Sequence, residues 1–122
     1  RLYQKSYTLS LGVTNTVLNL NLMEANNHFI TTSVNIDSIN IQDAHVGQSG
    51  HISITNNLGI SITINGWSYN GVVQSGSGSK FNWRNGSKTT TINSNSKNII
   101  SYFVLDSTPN IIIGSALNFS PA

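Results

Sequence analysis

The sequence predicts an all-β protein, and three observations carry that prediction. Apolar residues alternate with polar ones instead of recurring at helical spacing; Ile, Val and Thr crowd the alternating stretches; Gly, Asn and Ser punctuate them. At 122 residues the chain has the length of one ordinary domain and can bury a core without staples. An apolar fraction of 38%, drawn largely from Ile, Leu and Val, belongs to a globular chain rather than a disordered one.

The first stretch, "TLSLGVTNTVLNLNLM" from Thr8 to Met23, puts Leu9, Leu11 and Val13 on one face and then Leu18, Leu20 and Leu22 on one face. The phase changes at Thr14-Asn15-Thr16, so strands over 7–13 and 17–23 cannot share one straight ladder and are expected to serve different sheets. "FITTSVNI" (29–36) and "INIQ" (39–42) follow as short strands. In "HISITNNLGISITINGW", Ile52 and Ile54 alternate, Asn56 to Gly59 reads as a turn, and Ile60, Ile62 and Ile64 resume the inward face, which predicts a hairpin of strands 51–55 and 60–69. Asn65-Gly66 and Asn70-Gly71 are both type I′ turn pairs with only Trp67-Ser68-Tyr69 between them. One of the two is therefore expected to be a kink or bulge. Val73 to Lys80 is Gly- and Ser-rich and reads as a loop at the domain tip. Strands over 80–83, 88–92, 99–105 and, after the turn at Pro109, 111–119 complete the chain. Strands of this length and spacing predict a β-sandwich with an immunoglobulin-like or pilin-like arrangement. Residues 17–122 form its single domain, and residues 1–16 are an N-terminal extension.

Charged residues make up 8% of the chain against roughly a quarter in ordinary soluble domains. Amides and hydroxyls must hydrate the surface instead, and with Glu24, Asp37, Asp43 and Asp106 as the only carboxylate side chains, stability is expected to depend weakly on acid. A formal charge of +2, scattered along the chain, forms no phosphate-binding groove, so nucleic acid is not an expected partner. The absence of cysteine removes disulfides, thiol nucleophiles and zinc–thiolate sites. No run approaches the roughly 18 apolar residues of a membrane helix. The start at Arg1, with no apolar leader in "RLYQKSY", reads as a mature chain whose leader was removed.

Chemistry is sparse. Three histidines and four carboxylates supply little for acid–base work, and neither catalysis, a metal nor a cofactor is expected. Asp43 and His45, with His51 nearby, are the nearest approach to a cluster, but they read as loop-edge, solvated groups. "GQSGH" lacks the spacing of a nucleophile elbow, and "SGSGSK" lacks that of a phosphate loop. Trp67, Tyr69, Phe81 and Trp83, set among Asn and Ser, are expected to serve the core, as aromatics of a small sandwich do; the alternative is that Trp67, Tyr69 and Trp83 form a glycan-stacking platform. Such a platform would belong to the alternative function, a secreted carbohydrate- or surface-binding module. Two sequons, Asn85-Gly86-Ser87 and Asn118-Phe119-Ser120, are candidate N-glycosylation sites, Asn85 the better placed in a turn.

The edge of the first segment carries the main functional expectation. Leu9, Leu11 and Val13, with Gly12 permitting close backbone approach, have the pattern of a donor strand that fills successive pockets in a neighbouring subunit. Such an addition is head-to-tail and does not close, so it builds a filament of copies of the same chain.

The combination of "LSLGV", "HISITNNLGISITINGWSYNG" and the pervasive Asn, Ser, Thr and Ile resembles the β-sandwich subunits of archaeal cell-surface filaments, the thread pilins and the globular domains of archaeal type IV pilins. The long N-terminal apolar helix of type IV pilins is missing, which favours the thread-pilin branch. The resemblance implies an extracellular, glycosylated structural subunit with a role in adhesion, joined by donor-strand complementation.

Overall fold

Alternation sorts the side chains strand by strand. The computed structural model describes residues 2–10, 16–75, 78–83, 88–106 and 110–119. They form β1 (Leu2–Leu9), β2 (Val17–Asn21), β3 (Ala25–Thr32), β4 (Ser38–Gln42), β5 (Ser49–Asn56), β6 (Ile62–Thr63), β7 (Trp67–Tyr69), β8 (Val72–Val73), β9 (Phe81–Trp83), β10 (Thr91–Ile92), β11 (Lys97–Val104) and β12 (Ile111–Phe119), and among the described residues there is no helix. The all-β expectation is met. Leu18 and Leu20 of β2, His28, Ile30 and Thr32 of β3, Ile52 and Ile54 of β5, and Ile100, Tyr102 and Val104 of β11 point inward and are buried, each set at a spacing of two.

Two main sheets enclose this core: a six-stranded sheet in the order β1-β3-β5-β11-β12-β9 and a four-stranded sheet in the order β2-β4-β7-β8, with β6 and β10 paired beside them. As the phase change at residues 14–16 predicts, β1 and β2 belong to different sheets. The pairing departs from an immunoglobulin-like sandwich, whose sheets are antiparallel. Here β1, β3 and β5 run parallel to one another, and so do β2, β4 and β7. Parallel neighbours need a crossover, and each crossover is here a strand of the opposite sheet. The first half of the chain is thus a flattened coil. In its second half β11 runs antiparallel to β5 and β12 antiparallel to β11, while β9 lies parallel to β12 at the far edge.

The predicted hairpin of residues 51–69 is corrected by this topology. Ile52, Ile54, Ile62 and Ile64 face inward as expected, whereas Ile60, expected on the same face, is 67% exposed; β5 pairs with β3 and β11 while β6 pairs with β10. The physical reason is Asn56. Its side-chain oxygen accepts from the Leu58 amide at 2.8 Å, and its Nδ2 lies 2.9 Å from Ile60 O, 3.1 Å from Ile92 O and 3.0 Å from Asn93 O. These bonds satisfy the backbone of the turn without a strand partner and send the chain across to the second layer.

Of the two Asn-Gly pairs, Asn70-Gly71 is the tight turn. Both residues have positive φ, 46° and 84°, as a type I′ hairpin between β7 and β8 requires. Asn65-Gly66 is the kink: Asn65 N donates to Ile36 O and Ile39 N donates to Gly66 O, so this pair continues the parallel pairing seen at Ile36 and Ile64. On the outer face of the four-stranded sheet the parallel register stacks like on like. Asn40 Nδ2 donates to Asn19 Oδ1 at 2.9 Å, and Asn40 Oδ1 accepts from the Gly71 amide at 2.9 Å. This pair satisfies the buried Asn40 amide and ties β2, β4 and the β7–β8 turn together.

Gly50 marks the tightest approach. A Cβ built there would lie 2.1 Å from Asn26 O and 2.9 Å from the Tyr102 hydroxyl, with backbone on one side. Gly50→Ala is therefore expected to lower the melting temperature by roughly 10 °C or more, from a loss of roughly 2 to 3 kcal/mol. A melt within two or three degrees of the parent would contradict this packing.

Candidate functional site

The residues expected to act are those of the first strand, and β1 is an edge. It lies beside β3 in parallel register from Leu2 opposite Ala25 to Leu9 opposite Thr32, and among the described residues no strand pairs with its other side. The last residue of β1, Leu9, is buried in the core at 7% exposure, and its carbonyl accepts from Ser33 N at 3.0 Å. Leu11, Gly12 and Val13 lie outside the described residues.

Two further side chains, Lys5 and Tyr7, fasten the strand. Lys5 Nζ meets Glu24 Oε2 at 2.5 Å, with both side chains nearly half exposed, so this pair contributes little to stability. Tyr7 stacks on His28, ring centroids 5.8 Å apart and planes inclined by 22°. Its hydroxyl lies 2.9 Å from His28 Nδ1, and the Lys5 ammonium sits 5.7 Å from the Tyr7 ring centroid.

The geometry assigns the protons. His28 Nε2 lies 3.0 Å from Ala25 O, a carbonyl that can only accept, so Nε2 carries the hydrogen. In the neutral ring Nδ1 is then an acceptor, and Tyr7 donates to it. His28 is 0% exposed, and burial, aided by the Lys5 charge, lowers its pKa against the raising effects of the Ala25 bond and Glu24. Burial, with the Glu24 charge second, pushes the Tyr7 hydroxyl up to about 12, so it keeps its proton at every ordinary pH.

The sign of the linkage is fixed by this. An unfolded histidine takes up a proton near pH 6.5 while native His28 does not, so stability is constant above that range and falls as pH drops through it toward the lowered native value. The acid dependence expected from the carboxylates alone omits this contribution. His28 shares the parity of Ile30 and Thr32 in "HFITT", and that position on the inward face was the readable sign of its burial.

The aromatic platform is not a surface. Trp67 and Tyr69 are 2% and 7% exposed, Trp83 is half-buried, and the rings pack edge to face. Trp67 lies 5.1 Å from Trp83 and 6.4 Å from Phe81 between centroids, and its Nε1 donates to Thr89 O at 2.8 Å. Tyr69 Oη accepts from Ala44 N at 3.0 Å. A sugar stacks on an exposed ring face, and Trp67 and Tyr69 spend theirs on the core, which is the core reading of these aromatics rather than the glycan-stacking alternative. A small apolar cavity of about 10 Å³ lies between Leu22, Ile41, Ile52, Trp67, Phe81 and Ile111, with room for no ligand.

Asp43, His45 and His51 are exposed and engaged separately. Asp43 Oδ2 accepts from Asn21 Nδ2 at 3.3 Å, and His45 N donates to Gln48 Oε1 at 3.4 Å. Among the described residues, no three histidines, cysteines or carboxylates gather as metal ligands. Asn85 lies outside the described residues, and Asn118 stands in β12 opposite Asn98 of β11. No helix among the described residues is long and apolar enough to cross a membrane.

The chain matches no protein-family model, and neither a curated protein nor a solved structure is significantly similar to it.

Proposed function

We propose that the protein is a structural subunit of an extracellular cell-surface filament, a thread-pilin-like chain that polymerises head-to-tail by strand donation and serves adhesion. The observation that carries this reading is the attachment of β1. It is an edge strand, it runs parallel to β3 rather than folding back as a hairpin, and it reaches the rest of the chain through residues 10–16. A parallel edge strand owes its register to side-chain pockets rather than to a turn, so the same strand from a neighbouring copy fits the same place. In the isolated chain β1 fills its own groove; in the filament the neighbour's β1 fills it, and each subunit passes its strand onward without closure. This reading does not require immunoglobulin-like sheets, only an edge and a strand that fits it. N-linked glycans on Asn85 and Asn118 would cover a surface that is already uncharged and rich in amides.

The test uses protein lacking residues 1–13 together with a labelled synthetic peptide of those residues. The truncated protein is expected to bind the peptide in stoichiometric amount and to regain thermal stability, while the full-length chain at high concentration yields filaments under negative-stain electron microscopy. A truncated protein that stays monomeric, keeps its full melting temperature and ignores the peptide would remove the physical basis of the proposal.

A further inference from the structure

We infer that His28 is a proton-operated latch: neutral, it holds β1 in its groove through Tyr7, and protonated, it releases the strand for use by a second copy of this chain. The inference rests on the filament reading only for what the freed strand does next. The opening of β1 is a property of the single chain.

The argument is geometric. The buried ring of His28 has one nitrogen committed to a backbone carbonyl within its own strand and the other committed to β1. A proton can enter only at Nδ1, the atom that receives the Tyr7 hydroxyl hydrogen. Once there, it meets that hydrogen head-on. The hydroxyl must turn away and accept instead, which strips Tyr7 of its acceptor and leaves an imidazolium with no exposure to water.

The surroundings do not neutralise the new charge. Tyr7 cannot supply a phenolate, since burial holds its hydroxyl protonated. From β1, Lys5 adds a like charge. The carboxylate of Glu24, in the turn before β3, is already engaged by Lys5. From β5, Ile52 stands opposite His28 in register, while His51 is exposed. The Tyr102 hydroxyl of β11 donates to Asn26 O at 2.7 Å. Relief comes most cheaply where the structure is weakest. β3 is held by β1 on one side and β5 on the other, whereas β1 has only β3, and lifting β1 opens the Nδ1 side of the ring to water.

The experiment is amide hydrogen exchange of the full chain, followed by mass spectrometry from pH 7.5 to pH 4.5 and corrected for the chemical exchange rate. Between about pH 6.5 and the lowered native value, the opening of β1 should rise about tenfold per pH unit while β5 and β11 stay protected. His28→Gln, which offers the same donor and acceptor without titrating, should flatten the rise. Tyr7→Phe should open β1 more at pH 7.5 and retain a step in acid. If His28→Gln does not fold, the wild-type chain suffices: the imidazole resonance of His28 should titrate with the midpoint of β1 opening. Level exchange of β1 across the range, an equal step in His28→Gln, a separate midpoint, or β5 and β11 opening together with β1 would each overturn the latch. If β1 opens in acid but captures neither its peptide nor another copy, the latch stands and the filament reading falls.

Discussion

Leu9→Asp is expected to detach β1 while leaving the β3-β5-β11 sheet standing. Leu9 is the last residue of β1 and lies in the core with Leu20, Ile36 and the inward isoleucines of the opposite sheet. Removing its buried side chain forfeits about 1.5 to 3 kcal/mol, and a carboxylate set among the hydrophobic residues of the core cluster adds a desolvation penalty of similar or larger size. An edge strand joined to one neighbour does not withstand that loss. Hydrogen exchange should show β1 amides unprotected at neutral pH while those of β11 remain slow. On the proposed filament reading, assembly should disappear as well, as measured by sedimentation, because Leu9 would be needed whether the groove belongs to its own chain or to the next. Filaments formed by Leu9→Asp at wild-type yield would show that β1 is not the joining element.

Asn56→Ala should be the most damaging of the polar truncations. Its side chain serves one amide and three carbonyls at the crossing from β5 to the second layer, and it is 1% exposed. Alanine leaves those groups without that partner in a place water reaches poorly. The two Nδ2 hydrogens are shared among the three carbonyls, so three bonds' worth is lost, and at about 1 kcal/mol for each the expected destabilisation is about 3 kcal/mol. Urea unfolding should show a lower midpoint with an unchanged slope. A loss below about 1 kcal/mol would mean that the crossover is held by the isoleucines alone and that Asn56 merely accompanies it.

The two variants probe different links. Asn56 decides that the chain crosses between layers, and Leu9 decides whether its first strand stays. Both are read from an alternating sequence, yet with unequal ease. Leu9 belongs to a visible run, so its inward direction follows from period two alone. Asn56 sits in "TNNLG", where a turn is evident but not its outcome: a hairpin and a crossover use the same residues, and the choice between them depends on whether Ile92 O and Asn93 O are present to meet the amide. Those carbonyls come from a segment more than thirty residues away. No local pattern contains them.

The same division runs through the candidate site. The all-β class, the inward faces of β2 and β5, and the separation of β1 from β2 by a phase change followed from the sequence by itself, because side-chain direction in a strand is a local property with period two. Parallel pairing, the burial of Trp67 and Tyr69, and the meeting of Tyr7 with His28 were decided by the tertiary structure. Strand order is set by which faces can be covered together, and an aromatic among Asn and Ser looks the same in sequence whether it faces water or another ring. His28 shows the limit most sharply: its inward parity was readable, but its tautomer and its lowered pKa depend on Ala25 O and Tyr7 Oη, and only the parallel register of β1 on β3 brings the tyrosine to it.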